Sequence, residues 1–468
     1  MPKTFHLTRR SFLQRCTLAA AATGLPLWFV QRELAAQEVA KNISSPNDRP
    51  GLALIGCGGM GTGDAQNASR FGDIVAVCDV DARHADAAAQ KFTKNGKTPA
   101  KYGDFRKLLE RDDVHAVVQG TPDHWHTLIN IAAAKAKKDV YGEKPLAKTI
   151  AEQQAIVKAV EKNKIIWQTG SWQRSVPTFH KAAEIVRNGL IGTVTHVEVG
   201  LPAGFADFSG TGKEALEKLS SLPDKITELS KVTPGTPAWN LLITEPPATL
   251  DYNTWIGPSK MEPYIAARSH KNWRWNYNTG GGQLMDWIGH HCDIAHWGLG
   301  FDNSGPLEIE GHGDFPAADA VWNTSPKYRI ELKYPQNITM TIAGGYDDIK
   351  SGVKWIGTEG WVWVDRDGFE ASNAEWKKGK SLPEELRKVK LYTSPGHQRN
   401  FLDCVKSRQP TIMPVETAHH SAIPGHLGLI SMRVGRKIDW DARDEKILLD
   451  QAAGKLLTRE YRAPWQFV

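Results

Sequence analysis

Cysteine is scarce: the chain has five in 468 residues, and Cys57, Cys78, Cys292 and Cys404 lie far apart beyond the N-terminal segment. No disulfide framework is expected from that spacing, and Cys57 and Cys78, in a glycine loop and an apolar run, read as small core residues. After the first 36 residues there is no apolar run of membrane-spanning length, so no stable anchor is expected once that segment is removed. Charge of one sign is missing too. The chain carries +6, but Lys3, Arg9, Arg10, Arg15 and Arg32 stand against Glu33 alone in residues 1–36, and the remainder has 53 basic and 51 acidic residues. That balance lacks the electrostatic footprint of a nucleic-acid-binding protein. The 42 glycines follow no G-X-Y period, and a chain with 41% hydrophobic and 24% charged residues is neither collagenous nor disordered. Its length exceeds one compact domain and suits two or three.

What is present begins with an address. Thr8-Arg9-Arg10-Ser11-Phe12-Leu13-Gln14 precedes an apolar stretch over 16–30 and the small pair Ala35-Ala36. Basic, apolar and small in that order is the layout of a secretory signal, and the paired arginines before Phe-Leu resemble a twin-arginine (Tat) signal. The expectation is cleavage near Ala36, a linker over 37–49, and a periplasmic protein exported by the Tat machinery. That route carries folded chains and suits a cofactor inserted before export.

From Gly51 onward, short apolar runs alternate with amphipathic stretches. Strands are expected at 52–55, 74–78, 114–119, 140–141 and 165–168, with helices at 59–70, 82–92, 124–137 and 150–163. Such alternation predicts an α/β fold, a Rossmann dinucleotide-binding domain over 50–170 with helices on both faces of a parallel sheet. Past residue 170 the runs lengthen, at 193–201, 328–334, 338–343, 353–356 and 361–364, with turn residues between them. A C-terminal α+β domain over 171–468 follows, carrying a large, mostly antiparallel open-faced sheet. Residues 203–248 read as an insertion or lid, with a helix over 213–222. Two late helices within 396–435 are expected to pack back on the first domain.

Gly56-Cys57-Gly58-Gly59-Met60-Gly61 ends the first expected strand and opens the first helix. In that context the first glycine makes a tight turn and the second admits a pyrophosphate to the backbone N–H groups. The third lets helix and strand pack closely. Asp79, at the end of the second strand, can accept from ribose hydroxyls and would repel a 2′-phosphate, favouring NAD over NADP. Glu143-Lys144-Pro145 follows a short strand at the ligand-binding edge of the sheet, where a lysine can serve proton transfer. Later, Gly280-Gly281-Gly282 precedes Asp286 and His290, four apart and therefore on one helix face. A histidine there can take a hydroxyl proton as hydride leaves the same carbon, with a carboxylate to orient it. Asp286, His290, His291, Asp293 and His296 also offer metal-ligand types, but they spread around more than one face, and no metal is expected.

Taken together, the glycine loop, Thr121-Pro122-Asp123-His124-Trp125-His126, Glu143-Lys144-Pro145 and Gly-Gly-Gly-x3-Asp-x3-His resemble the Gfo/Idh/MocA oxidoreductase family. Gly170-Ser171-Trp172-Gln173-Arg174-Ser175 and the stretch from His397 to Asp403 are similar to its secreted bacterial branch. The resemblance implies that Gly56, Gly58, Met60, Gly61 and Asp79 hold the adenosine and pyrophosphate. Thr121, Pro122, Trp125, His126, Glu143 and Lys144 would line the way to the nicotinamide ring. Lys144, Asp286 and His290 would be catalytic: His290 the acid/base, Lys144 steadying the alkoxide, Asp286 orienting. A sugar, glycoside or cyclitol substrate is implied, and a homodimer or homotetramer through the second-domain sheet. Trp172, Trp273 and nearby indoles suit sugar faces, and Arg174, Tyr277 and His291 complete the expected substrate set.

An exported enzyme has no free nicotinamide pool, so the cofactor is expected to stay tightly bound and be regenerated in place. A hydroxyl–carbonyl interconversion on a sugar follows. The alternatives are NAD-dependent glycoside cleavage through a transient keto-sugar, a branch that the family resemblance includes and in which the Glu-Lys-Pro lysine is not kept, and a non-catalytic sugar or nucleotide sensor. This chain keeps Lys144, which favours the dehydrogenase reading.

Overall fold

The computed structural model describes residues 49–379 and 381–467. The expected signal segment, and the linker up to residue 48, lie outside the described residues.

Six strands form the first sheet: β1 (Gly51–Ile55), β2 (Asp73–Cys78), β3 (Ala100–Tyr102), β4 (Ala116–Gln119), β5 (Asp139–Gly142) and β6 (Trp167–Thr169). Their order is β3-β2-β1-β4-β5-β6, and every pair is parallel. Every residue of β1 and of β4 is buried, as strands covered on both faces by helices must be. Strand order reverses between β1 and β4, which opens a crevice at their carboxyl ends. Helices α1 (Gly59–Ala68), α2 (Ala82–Lys91), α3 (Asp123–Lys135) and α4 (Ile150–Asn163) complete the alternation.

The second sheet has nine strands in the order β13-β12-β11-β7-β10-β9-β8-β14-β15. They are β7 (Val194–Leu201), β8 (Glu308–Gly313), β9 (Tyr328–Lys333), β10 (Thr339–Gly344), β11 (Gly352–Gly357), β12 (Trp361–Asp365), β13 (Gly368–Ala371), β14 (Ile438–Asp441) and β15 (Lys446–Leu448). Only β7 with β10 runs parallel, so the sheet is mixed and mostly antiparallel, as expected. In β9, Tyr328, Ile330 and Leu332 face inward while Arg329, Glu331 and Lys333 face out, the period-2 pattern that marks a sheet open to water on one side. Against the inner face lie α5 (Gly282–Leu299) and α7 (Val415–Val434), with α6 (His397–Ser407) between them in sequence.

The structure adds elements that periodicity missed. β3 and β15 have three residues each and β13 four, too short for a pattern to register. Of the two late helices, α6 packs on the first domain: Phe401 and Leu402 join Ala65 and Ala68 in one apolar cluster. α7 lies against α5 and β8, where a Cβ at Gly311 would meet the Gly428 carbonyl, and also against α4 of the first domain, with Gln153 Nε2 2.8 Å from His426 Nε2. Within 203–248, Leu219, Leu229, Val232, Trp239 and Leu242 pack around Trp275 and Trp322 into a small core of their own. The next stretch turns back to the first domain, where Asp251 N donates to Val80 O (2.9–3.0 Å) and Ala82 N to Thr249 O.

Candidate active site

The glycine loop is shaped by close approach. Gly56 sits at φ +89°, and a Cβ there would lie 2.7 Å from the Gly120 carbonyl carbon. A Cβ at Gly61 would overlap the Gly56 carbonyl, so α1 can approach β1 and β4 only without one. At Gly58 the opposite holds: a Cβ would meet nothing within 4 Å, which leaves open space over the amides that begin α1. Asp79 is held beside the loop, its Oδ2 accepting from Cys57 N (2.7 Å) and its Oδ1 from Asp81 N (2.9 Å). Arg83, a nearby cation that could welcome a 2′-phosphate, is drawn onto Asp81 at 2.9 Å. An uncapped helix start, an open cradle and a fixed carboxylate fit the pyrophosphate and ribose of NAD.

One end of the crevice holds the titratable groups. Lys144, two residues beyond β5, donates from Nζ to the Asp286 backbone carbonyl (2.7 Å) and to its Oδ1 (3.1 Å). Arg274 Nε donates to the same Oδ1 at 2.9 Å. Burial alone would raise the Asp286 pKa, but Arg274 and Lys144 outweigh it and hold the carboxyl far below its usual range. His290, one turn along α5, is 5% exposed, and its Nδ1 has no hydrogen-bond partner. Burial first, then the positive charges of Lys144 and Arg366, push its pKa well below the ordinary imidazole value, so it is neutral at pH 7. Trp172 and Trp287 stand edge-on to the ring, at 6.3 and 5.4 Å between centroids. The Arg366 guanidinium lies over both indoles, at 4.7 and 4.4 Å. With its amide turned to satisfy its neighbours, Gln173 accepts from Arg366 Nε (3.2 Å) and donates to the His290 carbonyl (2.8 Å). Behind Lys144, the buried carboxyls of Glu143 and Asp64 meet. Burial raises both, and the neighbouring Glu143 raises Asp64 further. Gly170 is required there, since a Cβ would strike the Glu143 carboxylate.

The structure thus gathers Lys144, Asp286, His290, Glu143 and Trp172, and sets Gly56, Gly58, Met60, Gly61 and Asp79 around the cradle. Other expected residues are corrected to structural roles. Arg174 does not reach for substrate: its guanidinium is buried against Asp293 (2.6 Å) and Asp302 (2.7 Å), which commits its donors. His291 is fully buried, its Nδ1 2.8 Å from the Gly200 carbonyl and its Nε2 3.3 Å from Asp365. Trp273 packs under Arg274, 4.4 Å from the guanidinium, and so supports Asp286 indirectly. Tyr277 lies under Arg433 (4.3 Å) and lines a separate cavity of about 110 Å³ with Asp123, Lys148 and Arg459. Trp125 donates to the Trp255 carbonyl (3.0 Å) and packs edge-on against Trp465. His126 bridges the carbonyls of Pro145 (2.7 Å) and Thr121 (2.9 Å), tying the Glu-Lys-Pro turn to the Thr-Pro turn that starts α3. Of the five metal-ligand types on α5, Asp293 is committed to Arg174 and His296 to the Tyr334 hydroxyl at 2.8 Å.

Sequence reasoning missed Asp64, Gln173 and Arg366. Asp64 follows the glycine loop by three residues on the buried face of α1, a signal that was available; Arg366 sits in the turn between β12 and β13 and carries none.

The cradle on a switched parallel sheet, with a lysine of its own domain meeting a carboxylate and a histidine from the second, defines a two-domain dinucleotide-binding α/β protein. Residues 51–171 match the family model described as the oxidoreductase family, NAD-binding Rossmann fold, and residues 236–467 the oxidoreductase family, C-terminal alpha/beta domain. The chain belongs to the Gfo/Idh/MocA oxidoreductase family, and its cofactor is NAD. It is 34% identical over 141 residues to the myo-inositol 2-dehydrogenase of Thermotoga maritima, covering 30% of this chain and 42% of that one. It is 30% identical over 209 residues to a glycosyl hydrolase family 109 protein of Shewanella pealeana, covering 41% and 45%. The chain thus spans less than half the length of either relative. An aldose-aldose oxidoreductase from Caulobacter crescentus, solved with glycerol, shares the fold with a TM-score of 0.57 at 17% identity, over 84% of this chain and all of that one.

Proposed function

We propose that the protein interconverts a hydroxyl and a carbonyl group on a sugar or cyclitol, using NAD(H) that stays bound and is recycled in place. The observation that carries this reading is a neutral His290 with an uncommitted ring nitrogen, one helical turn from the Lys144–Asp286 pair. In the oxidising direction His290 takes the hydroxyl proton as the C–H bond of the same carbon breaks. The Lys144 ammonium stabilises the oxygen as negative charge develops on it, and Asp286 with Arg274 holds that ammonium in place. NAD held by the glycine loop and Asp79 would supply the hydride acceptor for this oxidation and, once reduced, the hydride donor toward a second carbonyl compound. Trp172 and Trp287 wall the reacting position with apolar faces that suit a pyranose and exclude water.

The identity to an inositol dehydrogenase supports a cyclitol or sugar substrate, and the longer stretch shared with a family 109 glycosyl hydrolase keeps glycoside cleavage through a keto-sugar as the second reading. The Arg9-Arg10 motif supports export through the Tat machinery to the periplasm, where a retained cofactor is the workable arrangement. Assembly through the open sheet into a homodimer or homotetramer is part of the same proposal.

The test is to purify the protein without added nucleotide, denature it and identify what is released. Stoichiometric NAD(H), with turnover of aldose–ketose pairs in the absence of added cofactor, is the expected result. An empty protein that needs free NAD overturns the retained-cofactor reading, and release of an aglycone from glycosides selects the second one.

A further inference from the structure

The short turn His270–Trp275 touches three parts of the molecule with near-consecutive residues. His270, held at φ +46°, turns its ring onto His84 (4.8 Å between centroids) and sets Nε2 3.5 Å from Asp81 Oδ2, at the ribose end of the crevice. Lys271 reaches over the glycine loop: a Cβ at Gly59 would lie 3.5 Å from its Cε and 3.9 Å from its Nζ. Asn272 anchors the turn to the insertion through Asp207 Oδ1 at 2.8 Å, and Arg274 reaches Asp286. The stretch before it is stitched to the first domain. Asp81 bridges Leu250, Ala82 N donates to Thr249 O, and Val80 packs among Leu250, Trp255, Ile256 and Tyr264.

The glycine loop itself supplies no cation to a pyrophosphate: residues 56–63 contain neither lysine nor arginine. Lys271 is exposed and makes no ion pair within 4 Å among the described residues, yet its ammonium is carried to Gly59, the first residue of α1. A left-handed conformation at a histidine is strained and persists only where surrounding contacts enforce it. Here the His84 and Asp81 contacts do so, and they aim the next residue at the loop. The cluster is not a metal site on this reading, because Arg83 already pairs with Asp81 and His84 leans to Asp79 at 3.7 Å.

We propose that residues 249–275 form a clasp that retains the dinucleotide, with Lys271 binding its pyrophosphate from the second domain and His270 latching the clasp to the ribose-end loop. The inference deepens the retained-cofactor reading above and rests on it for its biological purpose. A charged hydrogen bond to phosphate in a partly shielded crevice corresponds to about a tenfold change in affinity.

The experiment compares full-length wild type with Lys271→Gln, Lys271→Arg and His270→Ala. NAD bound after purification is released by acid and quantified, and Kd is measured by tryptophan quenching as NAD is titrated into stripped protein at low and high salt. Lys271→Gln is expected to raise Kd about tenfold and to flatten its salt dependence, Lys271→Arg to stay near wild type, and His270→Ala to speed release. Thermal unfolding of the stripped proteins is expected to coincide, since Lys271 is exposed. Unchanged Kd and release in Lys271→Gln would overturn the proposal. Should wild type itself purify empty, the retained-cofactor reading fails, while the ratio of Kd values still decides the role of Lys271.

Discussion

Two sets of residues along the helix Gly282–Leu299 carry almost the same residue types and do opposite things. One is Asp286 and His290: the carboxylate is shared between two cations from different elements, and the imidazole makes no hydrogen bond among the described residues. The other is His291, Asp293 and His296, each tied to a near neighbour: a backbone carbonyl, a buried arginine and, through one ring nitrogen of His296, a tyrosine hydroxyl. A buried polar group with its partner in place rigidifies the core, whereas one left without a partner is costly and persists where a ligand completes it. The difference between the sets is therefore one of side-chain commitment, not composition.

Four changes would break or sharpen that contrast. Replacing His290 by Ala should lower the rate of hydride transfer by about 10³-fold while leaving bound NAD and melting temperature near wild type; retained activity would remove His290 from the acid/base role. In the second set, Asp293→Ala leaves the Arg174 guanidinium partly uncompensated and should destabilise the fold by about 3 kcal/mol, with activity per folded molecule preserved. Chemical denaturation read alongside kinetics separates the two outcomes. Lys144→Met should cost about 10²-fold in rate and also shift the pH profile. Lys144 lowers the His290 pKa, so its removal raises it, and the acid limb of sugar oxidation should move to higher pH. In the wild type that limb lies well below pH 6.5, the ordinary imidazole value, because the base must be neutral and here stays neutral as pH falls. Arg366→Gln removes the weaker of the two cationic influences on His290 and should move the limb in the same direction by less, with little change in maximal rate.

The same contrast explains what could be read from the chain. The glycine loop was legible because its parts are local: turn, cradle and helix start fall within six residues, in the order a strand–turn–helix pyrophosphate site requires. Asp286 and His290 were legible because helical spacing puts i and i+4 on one face whatever else the fold does. Arg174 misled because its partners are 119 and 128 residues away, and no local pattern marks a buried ion pair. Trp125 misled for a related reason: its indole N–H bonds a carbonyl 130 residues on, so a residue type suited to a ligand wall serves as packing. Asp64 could have been found from the buried face of α1, yet its meaning depends on Glu143, brought to it by β5.

By itself, then, the sequence determined the alternation that builds the parallel sheet, the antiparallel character of the second, the glycine cradle and the identity of the lysine, carboxylate and histidine. All of these rest on short-range sterics and on the two fixed periods of backbone structure. Only the tertiary structure decided which polar groups are satisfied and which stay open, because that depends on partners brought together from separate elements. It decided also that the turn His270–Trp275, which no motif announces, brings Lys271 beside Gly59 at the start of α1.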